Sequence, residues 1–258
     1  MASNAGAPAD RNFVFPPLEE PYAAALHDAV AFVVERFPTV SAIAACGTIV
    51  RGTPDRASDL DLHVIHAEPW FQRLQRIFRG VPAEIFVNPE FQVSRYLASQ
   101  SDDGRPITAH MLATGYAVYD PHGVLSRLRS EARRVLDAGP PPPHDRVRPK
   151  YLIASVYEDA TDVADSDPHT ARLFANRAVQ EALEQAFRRR GRFIPRPKEL
   201  LSLLAELDPE LHGLAIAFID ESDHRIAVET AGLILDRVVG VRGLFEWEST
   251  PQRADPPG

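Results

Sequence analysis

"GTIVRGTPDRASDLDLHVIH", residues Gly47 to His66, carries the reading of this chain. It opens on a Gly-Thr pair, crosses a polar turn, and ends on Asp59-Leu60-Asp61 inside an apolar run. Strand alternation puts Asp59 and Asp61 on one face and Leu60 and Leu62 on the other. Two carboxylates side by side repel, and they need a positive partner to be worth keeping. Working outward, "AEIFVN", Ala83 to Asn88, reads as a following strand with Glu84 at its start. If the two strands are neighbours, Glu84 can face the Asp pair. Three convergent carboxylates make a hard-oxygen site suited to Mg2+, whose remaining positions are filled by waters and phosphate oxygens. Two such ions can activate a hydroxyl and stabilise a leaving pyrophosphate. An isolated Asp-x-Asp is more often a strand start with solvated acids. The Gly-Thr pair, the Ser58-Asp59 approach and the acid on the next strand together favour the site.

The upstream half supplies an anion cradle. Gly47 has no Cβ and lets the backbone approach a ligand closely. Thr48 adds a hydroxyl. "TIVR" reads as one helical turn whose free N–H groups face an anion. Arg51 follows Thr48 by three residues, so both can lie on one side of that turn. Such a cradle suits a triphosphate. It is not a Walker A loop, because Gly-Lys-Ser/Thr occurs nowhere in the chain.

These residues resemble the signature of the DNA polymerase beta-type nucleotidyltransferase superfamily. That signature is Gly-Ser or Gly-Thr, a gap of about ten residues, Asp-x-Asp, then an acid on a following strand. Here it reads Gly47-Thr48, Ser58-Asp59-Leu60-Asp61 and Ala83-Glu84-Ile85. Thr48 stands where the family more often has Ser, and it keeps the hydroxyl. The layout is similar to the bacterial kanamycin and streptomycin/spectinomycin adenylyltransferases, which place a small catalytic domain before a helical one. The resemblance implies that Asp59 and Asp61 hold Mg2+ bridging the ATP phosphates. Glu84 would be the third metal ligand, the base for the acceptor hydroxyl, or both. Gly47, Thr48, Arg51 and Ser58 would serve the nucleotide. It also implies transfer of AMP from ATP to a hydroxylated small molecule of the antibiotic type. A protein acceptor, as for a regulator or antitoxin, and a non-catalytic nucleotide-binding module are the rival readings. Some relatives share a cleft between two chains, so a homodimer is compatible with the resemblance.

Composition fits this frame. The chain has 258 residues, 45% hydrophobic and 25% charged, which is an ordinary globular profile with room for two modest domains. A net charge of −8 argues against general nucleic-acid binding, since phosphate backbones recruit basic surfaces. The single cysteine, Cys46, excludes an internal disulfide or thiolate cluster and fits a reducing cytoplasm. "MASNAGAPADRNFVFPP" lacks a basic start followed by an apolar core, so no signal peptide is expected. No apolar run approaches a membrane span. The first dozen residues and "ESTPQRADPPG" are expected to fray.

The expected organisation is α+β: a nucleotidyltransferase domain over 12–138 with a small mixed sheet and flanking helices, a Pro-rich linker over 139–145, and a helical bundle over 146–247. Glu19 to Phe37 has helical spacing and is stopped by Pro38. "VSAIAACG" reads as a buried strand. "EPWFQRLQRIFRG" reads as a helix closed by Gly80. Helices are expected after Pro89, over "AHMLATG" and up to Gly139, with a short extended piece at "YAVYD". Consecutive prolines in "GPPPPHD" cannot join a helix. Beyond them, four segments carry helical periodicity: "PKYLIASVYEDATDVAD", "HTARLFANRAVQEALEQAFRRRG", "PKELLSLLAEL" and "ESDHRIAVETAGLILDRVVG".

The helical half offers weaker candidates. Lys198 follows Pro197 at a helix start, where similar adenylyltransferases carry a Pro-Lys whose Lys reaches the nucleotide phosphates; a solvated helix-start Lys is as good a reading. Arg177 and Lys150 have lesser claims. The acidic run Tyr157 to His169 could attract a cationic substrate, though a solvated helix face explains it more simply. His63 shares the carboxylate face and His66 lies beyond it; both read as structural, because phosphoryl chemistry favours oxygen ligands. The Arg105-x4-His110 spacing reads as chance, and Cys46 as a buried small hydrophobe.

Overall fold

The computed structural model describes residues 11–142, 145, 147–249 and 251. It divides into two compact units, Met1–Gly139 and Pro140–Gly258, each described here by itself. Most of the fraying expected at the two ends, and part of the Pro-rich run, falls outside the described residues.

The first unit runs α1 (Tyr22–Arg36), β1 (Val40–Cys46), α2 (Gly47–Val50), β2 (Leu60–His66), β3 (Gln72–Phe78), β4 (Val81–Pro89), α3 (Glu90–Asp102), α4 (Ile107–Thr114), β5 (Tyr116–Tyr119) and α5 (Val124–Ala138). The five strands form one mixed sheet in the order β3-β4-β2-β1-β5. β2 and β4 are parallel, while β1–β2, β1–β5 and β3–β4 are antiparallel. The chain therefore leaves β2, lays β3 at the edge, and turns back so that β4 fills the gap beside β2.

Both sheet faces bury apolar side chains. Leu60, Leu62 and Val64 of β2 point with Ile85 and Val87 of β4 to a core closed by Leu26, Ala29, Val30 and Val33 of α1. On the opposite face, Ala42, Ala44, Cys46 and Ile65 pack under Val93, Leu97, Leu112, Leu125 and Leu128 from α3, α4 and α5. Alternation assigns Asp61, His63, Glu84 and Phe86 to this second face.

The segment Glu68 to Gly80, expected to be a helix, is instead edge strand β3 and its turn. Leu74, Ile77 and Phe78 imitate helical spacing. In the strand, Leu74 faces the α1 core at 7% exposure while Ile77 stands out at 74%. The turn residues Arg79 and Gly80 have φ of 50° and 82°, the left-handed pair of a two-residue hairpin. A glycine at positive φ also closes helices, so Gly80 alone signals both structures.

The second unit is helical: α6 (Val147–Val163), α7 (Pro168–Arg189), a 3-10 turn (Pro197–Glu199), α8 (Leu200–Leu207), α9 (Pro209–Asp220) and α10 (His224–Val238). Ala171, Ala175, Ala178, Ala182 and Ala186 give α7 a small-residue face, buried in this unit's core with Ile153, Tyr157, Ala231 and Leu235. The helix α9 has no counterpart among the segments read from periodicity. Its start is nonetheless written in the chain as Asp208-Pro209: the Asp208 side chain accepts from the Leu211 N–H, and proline takes the first helical position. No helix among the described residues is long and apolar enough to cross a membrane.

Candidate functional site

The sheet register brings the three acids together. Asp61 lies level with Glu84 in the parallel pair β2–β4, and Asp59 sits just before β2 begins. Carboxylate oxygens of Asp59, Asp61 and Glu84 all lie within 4.8 Å of one another. The spacing suits a shared cation, and without one it is a concentration of like charge. Asp61 registers this: its pKa is pushed up to about 7, first by burial and then by Asp59 and Glu84, against the opposing charges of Arg51 and Arg73. An oxygen-only donor set that cannot comfortably ionise alone fits Mg2+.

Gly47 closes the site from the β1 side. Its φ is +88°, and a Cβ there would stand 2.6 Å from Asp61 Oδ2. Glycine alone takes that backbone conformation freely and leaves room for so close an approach to the carboxylate. The short turn α2 follows directly, with Gly47 O accepting from the Arg51 N–H at 3.2 Å. Thr48 Oγ1 and Ser58 Oγ are hydrogen-bonded at 2.9 Å, which ties the turn to the approach of β2. Ser58 Oγ also accepts from the Asp55 N–H at 2.7 Å. Thr48 and Ser58 thus shape the loop beside the carboxylates. Arg51 is exposed at the end of the turn, close enough for its charge to act on Asp61.

Two groups at the site were not legible in the sequence. Arg73 Nε donates to Glu84 Oε1 at 2.7 Å, and Gln75 Nε2 donates to the same oxygen at 3.1 Å. Both come from β3, and reading that segment as a helix hid them. Strand alternation would have placed them on the Glu84 face, because Gln75 registers with Glu84 and Arg73 with Phe86. The Arg73 guanidinium sits 5.0 Å above the Phe86 ring, and that ring stacks on His63 with centroids 5.0 Å apart. His63 is 3% exposed, and neither ring nitrogen has a hydrogen-bond partner among the described residues. Burial lowers its pKa to about 4, so the ring is neutral and packs as an aromatic surface. Cys46 is fully buried, and burial first, then Asp61, pushes its thiol up to about 12, which leaves no thiolate for nucleophilic work.

The candidates from the helical half lie in the second unit. Lys198 occupies the 3-10 turn before α8. Arg177 pairs with Glu181 one turn on, and Lys150 sits 4.7 Å from the Phe245 ring. The acidic run is partly engaged: Asp167 caps α7 by accepting from the Thr170 N–H, and Asp165 pairs with Arg225.

No protein-family profile matches this chain, and no curated protein matches it. Among solved structures it is similar to a nucleotidyltransferase-like protein from Exiguobacterium sibiricum 255-15, with a TM-score of 0.53 and 14% identity over 83% of this chain and 74% of that one. At that identity the likeness is one of fold, and the fold is nucleotidyltransferase-like.

Proposed function

We propose that this chain is a Mg2+-dependent nucleotidyltransferase that moves AMP from ATP to a hydroxyl. The observation that carries the reading is the convergence of Asp59, Asp61 and Glu84 within 4.8 Å beside the Gly47 turn. Asp59, Asp61 and Glu84 would hold the metal, which when bound neutralises phosphate charge and favours ionisation of the acceptor hydroxyl. Gly47, Thr48 and Arg51 receive the β- and γ-phosphates, and Arg51 adds the positive charge that the leaving pyrophosphate needs. The acceptor oxygen attacks the α-phosphorus, the bond to the β-phosphate bridging oxygen breaks, and pyrophosphate departs with that electron pair. Glu84 takes the hydroxyl proton. Positioning and charge neutralisation then supply most of the rate.

The acceptor we propose is a small hydroxylated cation of the aminoglycoside type, with Lys198 assisting at the phosphates. The helical unit carries an open cleft of about 330 Å³ between α6 and α7, lined by Leu152, Ile153, Asp145, Arg148, Glu184 and the Arg177-paired Glu181. Incubation with α-labelled ATP and Mg2+, against panels of aminoglycosides and of cell proteins, tests the reading. Label transferred to a small molecule supports it. Label on a protein moves the acceptor to a side chain, and ATP binding with no transfer to anything reduces the chain to a binding module.

A further inference from the structure

We infer that Arg73 is a positioning residue that stands in for a divalent cation at Glu84 and competes with the metal for this carboxylate. This rests on the nucleotidyltransferase reading above. Arg73 reaches Glu84 from the edge strand, not from the nucleotide turn. Its Nε and Nη2 lie 2.7 and 2.5 Å from Glu84 Oε1. With Gln75 Nε2 donating at 3.1 Å, two hydrogen bonds and the Nη2 charge contact converge on one oxygen of a side chain that is only 13% exposed. Oε1 is thereby taken up, and the guanidinium charge opposes a cation at the other carboxylate oxygen.

The same geometry makes release easy. The Arg73 side chain is 64% exposed, so water can solvate the guanidinium as it leaves, and exposed pairs of this kind are weak. Its second contact is the face of Phe86, 5.0 Å below. Phe86 is held by the buried His63 ring, stacked at an interplanar angle of 18°. An Arg73 that gives up Glu84 therefore keeps a resting place over Phe86, at the rim of the carboxylate site. There its charge lies beside the place where polyphosphate negative charge would gather. The metal-free site is kept partly neutral, and the cation that does so stays nearby for the substrate.

The test measures Mn2+ alone, by calorimetry on the nucleotide-free full chain, so it does not depend on turnover. Arg73→Met should tighten Mn2+ binding by about three- to tenfold, the yield of removing one weak competing ion pair and its charge. Arg73→Lys should fall between wild type and Arg73→Met, because an ammonium lacks the two-nitrogen fork. In a Glu84→Gln background the Arg73→Met effect should shrink below about twofold. Unchanged or weaker binding in a folded Arg73→Met protein overturns the inference, and so does an equal gain in the Glu84→Gln background, which would mean a diffuse charge effect. If Arg73→Met does not fold, the Arg73→Lys comparison decides. If wild type binds no Mn2+ at millimolar levels, the metal site and the transferase reading fall first. Wild-type binding that disappears in Asp61→Asn preserves that reading whatever Arg73 does.

Discussion

The two units each bury acid, and they complete the job to different degrees. In the helical unit a single carboxylate, Asp208, has a side chain 4% exposed and receives Arg190 Nη2 at 2.5 Å, Arg237 Nη2 at 2.8 Å and the Leu211 N–H at 3.0 Å. Burial would raise its pKa, but the Arg237 hydrogen bonds, the Leu211 N–H and the two guanidinium charges outweigh burial and hold it below the usual carboxylate range. In the α/β unit the ratio is inverted: three carboxylates share the bound Arg73 and the more distant charge of Arg51. Asp208 ties the end of α7, the start of α9 and α10 together, and nothing is left for a ligand to add. The first cluster is short of positive charge by design of its register, and a site is what such a deficit provides.

The largest test of that contrast is Asp61→Asn. It should lower kcat/KM by about a thousandfold or more, roughly 4 kcal/mol of transition-state stabilisation, because a metal ligand and a charge are lost together. The same substitution should raise the melting temperature of the metal-free protein, since it removes a carboxylate that burial first, and then its acidic neighbours, hold against ionisation. Added Mg2+ should then stabilise wild type and leave Asp61→Asn unmoved. A metal-free Asp61→Asn protein that melts lower than wild type would erase the difference between the clusters.

Asp208→Asn is the counterpart in the closed cluster, and it should cost about 2 kcal/mol in urea unfolding. Breaking a fully buried pair costs roughly 3–5 kcal/mol. The smaller figure follows because Arg190 and Arg237 are 42% and 38% exposed and water can serve them once the charge is gone. Asparagine also keeps an oxygen for the Leu211 N–H. Turnover at a temperature well below melting should be unchanged. An Asp208→Asn protein as stable as wild type would show the cluster to be decorative.

A smaller effect separates the clusters by pH, with opposite signs. The folded-state pKa of Asp61 is raised from 3.8 to about 7. The metal-free folded chain therefore binds more protons there than the unfolded chain does, and its contribution to stability, full below 3.8, fades as pH rises toward 7. Asp208 is lowered, so its contribution is present above 3.8 and is lost as pH falls below it. Urea unfolding in chelator across pH 4 to 7 should show a flatter profile for Asp61→Asn than for wild type. Asp208→Asn should instead flatten the loss below pH 4. Identical profiles for wild type and Asp61→Asn would mean that neither burial nor its acidic neighbours raise Asp61.

Most of the first cluster is legible in the sequence, because it rests on short-range rules. Strand alternation fixes the face of Asp61, a polar turn fixes the approach, and Glu84 needs only that β2 and β4 be neighbours. The glycine at 47 was legible as a close approach, though not as one to Asp61 itself. Asp208 was not singled out, since its partners Arg190 and Arg237 lie 18 and 29 residues away and no local pattern links them. Arg73 was lost for a different reason. Leu74, Ile77 and Phe78 have helical spacing, and an edge strand buries too few residues to show its own period of two.

That misreading sets the smallest and sharpest comparison. On a helix, Leu74, Ile77 and Phe78 would share one buried stripe, and trimming any of them would cost similar amounts. On β3 they divide: Leu74 is 7% exposed against the α1 core, and Ile77 is 74% exposed. Leu74→Ala should therefore cost about 2–3 kcal/mol, while Ile77→Thr should stay within about 0.5 kcal/mol of wild type. Threonine keeps the β-branch that suits a strand, so the substitution tests burial without disturbing propensity. Equal losses at the two positions would restore the helix, take Gln75 and Arg73 away from Glu84, and leave the carboxylate cluster without the guanidinium now bound to it.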